Sequence, residues 1–208
     1  MTQESMASCL LKGRRLLIFD FDGTLADTGP LHAKAFQEIL GPYGIVVDYS
    51  TIAGMKTADA IKNCLLSAGH DLSTVEIGEL VTAKQGYVRN LIQEKLLPMP
   101  GVDKFLRWAK QRYRLALYSS GSRSTVEISL RKLGYINWFE PMLCAEDVKM
   151  AKPSPEGFQK ILQITNEKAG SAIVFEDSNA GLQAAASAKI EAVDVRPPFS
   201  FTSFEVLP

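Results

Sequence analysis

Two closely spaced pairs of carboxylates each follow a short apolar run in the sequence. Asp20 and Asp22 follow Leu-Leu-Ile-Phe, and Glu176 and Asp177 follow Ala-Ile-Val-Phe. Ligands of open α/β sheets bind at the carboxyl ends of the strands, so all four acids are expected at that edge. They would repel one another unless a cation lay between them. A set of oxygen ligands with no convergent histidine favours Mg²⁺ over zinc.

A hydroxyl segment and a lysine lie between these acids in the chain. Ser119, Ser120 and Gly121 follow the run Leu-Ala-Leu-Tyr, and free N–H groups at a strand-to-helix junction can hold an anion. Lys152 stands in Ala-Lys-Pro-Ser-Pro, where two prolines give it a rigid base. Each segment alone also fits an ordinary turn, helix cap or surface lysine. Their joint order, acid pair, hydroxyl, lysine and acid pair, favours a functional site.

Placed at one sheet edge, these residues are suited to phosphoryl transfer. Asp20 is the candidate nucleophile, because aspartate can form an aspartyl phosphate. Asp22 is expected to protonate the leaving oxygen and then to deprotonate the water that clears the intermediate. Lys152 would balance negative charge, while Ser119 and nearby N–H groups would hold phosphoryl oxygens. The sequence therefore predicts a Mg²⁺-dependent phosphatase, a phosphoric monoester hydrolase, that acts on a small phosphorylated metabolite.

The elements that must position these residues alternate between strand and helix. Continuous apolar runs are typical of a parallel sheet covered on both faces, and intervening helices complete a doubly wound α/β fold. The predicted strands are Arg14–Phe19, Tyr113–Tyr118, Pro141–Cys144, Ser171–Phe175 and Ile190–Val195. The predicted helices between and after them are Val102–Lys110, Arg123–Leu133, Pro155–Thr165 and Asn179–Ala188, with Ser154 and Ser178 as N-caps and Gly134 as a C-cap.

The stretch 30–97 does not follow this alternation. Its periodicity predicts helices over Pro30–Leu40, Thr57–Ala68 and Val75–Leu97, and an insert of about 70 residues is too long for an ordinary connecting loop. We therefore predict a catalytic core over residues 1–29 and 98–208, with a helical cap domain over 30–97. The phenylalanine-rich tail, Pro-Phe-Ser-Phe-Thr-Ser-Phe, is expected to pack on the protein.

Composition excludes several classes of protein. Lys plus Arg and Asp plus Glu are both 23, so the net charge is zero and no basic excess indicates nucleic-acid binding. No apolar run reaches the roughly 18 residues of a membrane span. Cys9, Cys64 and Cys144 are odd in number and widely spaced, which disfavours disulfides and favours a cytoplasmic location. We expect a monomer or a weak dimer.

The ordered segments resemble the motifs of the haloacid dehalogenase superfamily of phosphohydrolases. Asp-Phe-Asp-Gly-Thr-Leu at 20–25 is similar to its first motif, Ser119 to the second, Lys152 to the third, and Glu-Asp at 176–177 to the fourth. The helical insert is similar to the cap of subfamily I. The resemblance implies Asp20 as nucleophile and Asp22 as acid/base. It also implies Mg²⁺ held by Asp20, the Asp22 carbonyl and Asp177, with Glu176 assisting.

Within the superfamily, the chain is most similar to the branch of β-phosphoglucomutases and small sugar-phosphate phosphatases of the fructose-1-phosphate type. The segments that carry this likeness are 27–32, 176–181 and 192–196. The resemblance implies that the substrate is bound by His32, Lys56, Ser120 and Gly121, the serine being an alternative match to the second motif. The bland interpretation of His32 is a partly buried helix histidine.

Two other functions are compatible with the sequence. A mutase of this branch would carry an arginine in the cap loop, where this chain has Gly-Met-Lys-Thr at 54–57; lysine can still bind phosphate as a point charge. The other is a non-catalytic phosphate-responsive α/β module, which would gather similar residues around Mg²⁺. Asp22 and the helical insert argue against this module, since it needs neither a leaving-group acid nor a lid.

Overall fold

A computed structural model of the chain describes residues 10–204, so the cysteine at position 9 lies outside the described residues. The chain forms two compact units. One comprises the chain up to Ala26 and again from Leu97 onward, and the other comprises Asp27–Leu96. No helix within the described range is long and apolar enough to cross a membrane.

The first unit is built on a parallel five-stranded sheet. Its strands lie in the order β3-β2-β1-β4-β5. The strand order therefore reverses between β1 and β4, and such a switch point is where doubly wound folds bind ligands. This confirms the predicted doubly wound α/β class. The strands are β1 Leu16–Phe19, β2 Arg114–Tyr118, β3 Met142–Leu143, β4 Ala172–Glu176 and β5 Glu191–Asp194.

Side-chain alternation divides the sheet residues between two faces. Leu16 and Ile18 of β1, Tyr118 of β2 and Val174 of β4 belong to one buried cluster, which also contains residues of the helices that follow β3 and β4. Because successive strand residues point to opposite sides, Leu17 and Phe19 belong to the other face. The same alternation continues to the ends of β1 and β4 and determines the face on which Asp20 and Glu176 lie.

Aromatic rings fill the second face. Phe19 stacks on Phe175 with ring centroids 4.9 Å apart. Phe105 meets both rings edge-on, and the tail adds Phe201 and Phe204 at 5.2 and 4.6 Å from Phe105. The phenylalanine-rich tail therefore completes the core of this unit. The sequence predicted that the tail packs on the protein but not where.

The helices of both units follow the predicted pattern with small shifts. The ten-residue helix after Lys152 begins at Glu156 rather than Pro155, since Pro155 is the N-cap residue. Ser178 caps as predicted, accepting the Gly181 N–H. The helices are α1 Gly29–Leu40, α2 Thr57–Ser67, α3 Thr74–Lys95, α4 Val102–Ala109, α5 Arg123–Leu133, α6 Glu156–Thr165 and α7 Asn179–Ser187.

The second unit is helical, as its periodicity predicts. Helices α1, α2 and α3 enclose a small apolar core that includes Phe36, Leu40 and Ile61. The long helix α3 begins at a reciprocal cap, in which Ser73 accepts the Glu76 N–H and Glu76 accepts the Ser73 N–H. The unit thus has a hydrophobic core of its own.

Candidate active site

Two carboxylates lie side by side at the ends of β1 and β4. Ile18 pairs with Val174 in the parallel register, so Asp20 and Glu176, two residues further on, are level and on the same face. Strand β4 extends one residue beyond its predicted end and includes Glu176. Both residues are almost fully buried, 6% and 1% exposed. A buried pair of acids at this spacing requires a counter-charge.

Lys152 supplies that counter-charge. Its Nζ atom donates to Asp20 Oδ1 at 2.6 Å and to Glu176 Oε2 at 2.7 Å. A third bond goes to the main-chain oxygen of Tyr118 at 3.1 Å. All three donors of the ammonium therefore have partners, and only 4% of the side chain is exposed. The acid pair and the lysine, far apart in sequence, form one ionic cluster.

Burial and charge act in opposite directions on these groups. Burial raises the pKa of Asp20 well above its usual value, and the neighbouring acids add to this while Lys152 opposes it. For Lys152, burial alone would lower the pKa, but Asp20 and Glu176 outweigh it and raise the pKa above the usual range. The lysine is therefore a permanent ammonium at neutral pH, suited to stabilising negative charge beside Asp20.

Asp177 occupies a different position from its neighbour in the sequence. The Glu176 side chain lies within the sheet face, whereas the Asp177 carboxylate lies against the turn at Gly23. Gly23 has a φ of +80°, and a Cβ there would lie 2.1 Å from Asp177 Oδ2. Only glycine satisfies both the backbone conformation and this close approach. Burial, followed by the charge of Glu176, raises the pKa of Asp177 to about 6.

Asp22 and Ser119 face each other across the site. The Ser119 hydroxyl lies 3.4 Å from Asp22 Oδ2 and accepts the Gly121 N–H at 2.9 Å. This N–H was expected to be open to an anion; it instead folds back onto the hydroxyl, as short serine turns do. Ser119 is fully buried at the end of β2, whereas Ser120 is exposed. The geometry therefore favours Ser119 over Ser120 as the second-motif hydroxyl.

Glu156 holds the loop that carries Lys152. Its carboxylate accepts the N–H groups of Lys149 and Met150 at 3.0 and 2.9 Å and pairs with Lys160 at 2.8 Å. The Lys160 bond, together with the two backbone bonds, lowers the pKa of Glu156 to about 2. Sequence reasoning missed this residue, although an acid at the first position of a helix after a functional loop is a recognisable signal.

Glu176 in turn is held by the start of α7. Its Oε1 atom accepts both the N–H and the hydroxyl of Ser178, at 3.0 and 2.8 Å. A Cβ on Gly181 would lie 2.0 Å from the Glu176 carboxyl group. Small residues in a helix are commonly a sign of close helix–sheet packing. At Gly181 the close approach is made to a site carboxylate, so this glycine also shapes the site.

The acids fit a divalent metal ion by the chemistry of their donors. Asp20, Glu176 and Asp177 each offer a carboxylate oxygen, and these atoms lie within 4.8 Å of one another. Three hard oxygen donors match Mg²⁺. Two of them also bind Lys152, so Asp177 is the acid of this set that is most available to a metal.

The two candidate residues in the second unit lie in different environments. His32 Nδ1 lies 2.8 Å from Nζ of Lys84, a lysine that is only 2% exposed and was not singled out from the sequence. The Lys84 ammonium also lies 4.5 Å from the centre of the Phe36 ring. Lys56 is an exposed residue at the start of α2. Buried lysines cannot be recognised from residue type, since most lysines are solvated.

The fold and the cluster define a class of site: an acidic centre, bridged by a lysine, at the carboxyl ends of parallel strands in a doubly wound α/β sheet. The family model described as haloacid dehalogenase-like hydrolase matches residues 17–195. This chain therefore belongs to the haloacid dehalogenase-like hydrolases. The family and its phosphatase members confirm the predicted enzyme class, a phosphoric monoester hydrolase.

Three relatives illustrate the likeness. Fructose-1-phosphate phosphatase YqaB of Escherichia coli (strain K12) is 32% identical over 180 residues, covering 86% of this chain and 95% of its own. The phosphorylated carbohydrates phosphatase of Thermotoga maritima is 30% identical, covering 85% and 82%. The crystal structure of β-phosphoglucomutase from Clostridium difficile superimposes with a TM-score of 0.74 at 25% identity, covering 87% and 84%.

Proposed function

We propose that this protein is a Mg²⁺-dependent phosphatase of small sugar phosphates that works through a phosphorylated Asp20. The observation that carries the proposal is the ionic cluster in which the Lys152 ammonium lies 2.6 Å from Asp20 and 2.7 Å from Glu176. The resemblance to phosphatases of fructose 1-phosphate and of phosphorylated carbohydrates supports the substrate class.

The proposed metal site uses Asp20, Asp177 and the main-chain oxygen of Asp22, with Glu176 assisting. When bound there, Mg²⁺ would neutralise part of the charge on the phosphoryl oxygens and orient them. Lys152 would hold the second Asp20 oxygen in place. The Ser119 hydroxyl would donate to a phosphoryl oxygen. Ser120 and Gly121 would line the same anion site, while His32 and Lys56 are proposed to contact the sugar.

The proposed reaction proceeds in two in-line displacements. An Asp20 oxygen attacks phosphorus, the bond from phosphorus to the sugar oxygen breaks, and Asp22 transfers a proton to that oxygen. Asp22, now ionised, takes a proton from a water molecule that attacks the same phosphorus. The bond to Asp20 then breaks, which releases inorganic phosphate and restores the carboxylate.

The first test removes the nucleophile. Asp20→Asn is expected to lower phosphate release from fructose 1-phosphate by at least about 10³-fold, since the amide cannot attack phosphorus. Asp71→Asn, an exposed acid of the second unit, is the matched control and should keep full activity. Near-normal turnover of Asp20→Asn, with the control also active, would show that another residue is the nucleophile.

The second test addresses the metal directly. Isothermal titration of Mg²⁺ should give a binding isotherm with the parent protein and little heat with Asp177→Asn. Phosphate release should require added Mg²⁺ and stop in excess EDTA. Metal binding that persists in Asp177→Asn would rule out the proposed ligand set.

Likeness to β-phosphoglucomutase, in sequence and in structure, keeps phosphate transfer within a sugar as the second candidate. Incubation with β-glucose 1-phosphate and catalytic glucose 1,6-bisphosphate separates the two. We expect free phosphate, because the cap loop has Lys56 where a mutase would carry arginine. Accumulation of glucose 6-phosphate would establish the mutase instead.

A further inference from the structure

The Lys152 ammonium is enclosed by aromatic rings as well as by carboxylates. Its Nζ atom lies 4.8 Å from the centre of the Tyr118 ring and 5.7 Å from that of Phe158. The two rings meet edge-to-face, with centroids 5.1 Å apart. A cation within about 6 Å of an aromatic face is attracted by the ring. The rings therefore form one wall of the pocket that holds the lysine.

The sheet register explains why Tyr118 lies at this level. Phe19 pairs with Leu117 in the parallel ladder, so Asp20 and Tyr118 are the next pair and point to the same face. Glu176 lies at the same level on the other side of Asp20. Three neighbouring strands thus present Tyr118, Asp20 and Glu176 in a row, and Lys152 reaches all three.

Helix α6 leaves room for the ring at a single position. A Cβ on Gly157 would lie 2.3 to 2.7 Å from three carbon atoms of the Tyr118 ring. Distances this short cannot be accommodated without moving the ring. Glycine weakens a helix relative to alanine, so its place in the first turn of α6 has a packing reason. Gly157 is the notch into which Tyr118 fits.

The hydroxyl of Tyr118 does not account for the placement of this residue. The Oη atom is buried and has no hydrogen-bond partner within the described part of the chain. Buried hydroxyls usually have partners. What Tyr118 contributes is its ring and its main-chain oxygen, both of which contact Lys152.

We propose that Tyr118, seated in the Gly157 notch, is a positioning residue for Lys152. The ring closes the space into which the ammonium would otherwise swing and keeps Nζ between Asp20 and Glu176. Gly157 acts one step further away, by allowing the ring to occupy that place. This inference rests on the proposed function, because it assigns meaning to Tyr118 only if Lys152 takes part in the reaction.

The test compares variants that keep, remove or displace the ring, with p-nitrophenyl phosphate as substrate. Tyr118→Phe keeps the ring and should retain kcat within about twofold. Tyr118→Leu removes it and should lower kcat about tenfold with KM nearly unchanged, since the ring touches the lysine rather than the substrate. Tyr135→Leu removes a tyrosine that is equally buried and whose hydroxyl donates to Asp103, outside the site; it should lower the melting temperature and leave kcat unchanged.

Gly157→Ala provides an independent second measurement, should Tyr118→Leu fail to fold. It should lower kcat about tenfold in the parent, because the added Cβ displaces the ring. Where Tyr118→Leu folds, adding Gly157→Ala to it should have little further effect, since no ring remains to be displaced. Additive losses, or a kcat that Gly157→Ala leaves unchanged, would overturn the proposal.

A Lys152→Met variant separates this inference from the function on which it rests. Loss of activity in Lys152→Met together with full kcat in Tyr118→Leu would reject the positioning role alone. Full activity in Lys152→Met would reject the proposed function of the lysine, and the role of Tyr118 with it. The expected result is loss in both, with the larger loss in Lys152→Met.

Discussion

Each of the two units buries a lysine, and the two environments differ. In the sheet unit, Lys152 is bound between the carboxylates of Asp20 and Glu176. In the helical unit, the contacts of Lys84 include the imidazole of His32 at 2.8 Å and the face of the Phe36 ring. Lys152 thus lies between two carboxylates, and the surroundings of Lys84 include an imidazole and an aromatic face.

The surroundings of Lys152 show why this lysine is strongly fixed. Removing one partner of a buried ion pair leaves an uncompensated charge in a medium of low dielectric, which is strongly destabilising. An exposed lysine loses little when it is replaced, because water solvates its ammonium group. The sheet unit therefore concentrates charge in a centre whose residues we expect to tolerate substitution poorly.

Substitution of Lys152 and of an exposed lysine should give the largest contrast. In metal-free buffer, Lys152→Met should lower the free energy of unfolding by about 3 to 5 kcal/mol, because Asp20 and Glu176 lose their counter-charge. Lys62→Met, at an exposed lysine of α2 in the helical unit, should change it by less than about 0.5 kcal/mol. Urea unfolding at pH 7 measures both. Equal losses would show that the two carboxylates do not stabilise the fold through Lys152.

Glycine-to-alanine substitutions should change the stability of the two units in opposite directions. Gly181→Ala places a Cβ 2.0 Å from the Glu176 carboxyl group, so overpacking should cost about 1 to 3 kcal/mol. Gly78→Ala, in helix α3 of the helical unit, meets none of the described atoms within 4 Å and should add about 0.5 to 1 kcal/mol. Melting temperatures should shift in opposite directions, and a shift of both in one direction would contradict the assignment.

The bonds that Glu156 makes to Lys149, Met150 and Lys160 predict that the stability of the sheet unit depends on pH. Because the pKa of Glu156 is lowered from 4.5 to about 2, its contribution to stability is complete above pH 4.5. It declines as the pH falls towards 2. Glu156→Gln should remove this component, so parent and variant should converge at low pH. The difference in urea midpoint between the two proteins, followed from pH 6 to pH 2, measures it; a constant difference would contradict the prediction.

The smallest effect is expected at Thr24. Its hydroxyl is buried without a hydrogen-bond partner among residues 10–204. Thr24→Val replaces the hydroxyl with a methyl group of similar shape, so it should be neutral or stabilising by less than about 1 kcal/mol. Thermal unfolding measures it. A clear loss of stability would reveal a bond that this hydroxyl makes in solution.

The acid pair at 176–177 shows how far sequence reasoning reached. The residue types and their position after an apolar run predicted two carboxylates at the sheet edge, and both lie there. The resemblance implied Asp177 as a metal ligand with Glu176 assisting, but the residues themselves did not predict why the two carboxylates differ in position. They differ because Glu176 still belongs to β4, so parity places it on the face of Lys152, while Asp177 lies beyond the strand against Gly23. A one-residue shift of a strand end decides this, and local sequence does not define strand ends so closely.

The order of polar residues after apolar runs determined, by itself, the sheet class, the acidic centre, and the candidate roles of Asp20, Asp22 and Lys152, because those depend on residue chemistry and on alternation along the chain. Only the tertiary structure decided which groups enclose Lys152, why Gly23, Gly157 and Gly181 are glycines, and that Lys84 lies beside His32. These are contacts between segments distant in sequence, and their close distances depend on how whole elements pack rather than on any local pattern.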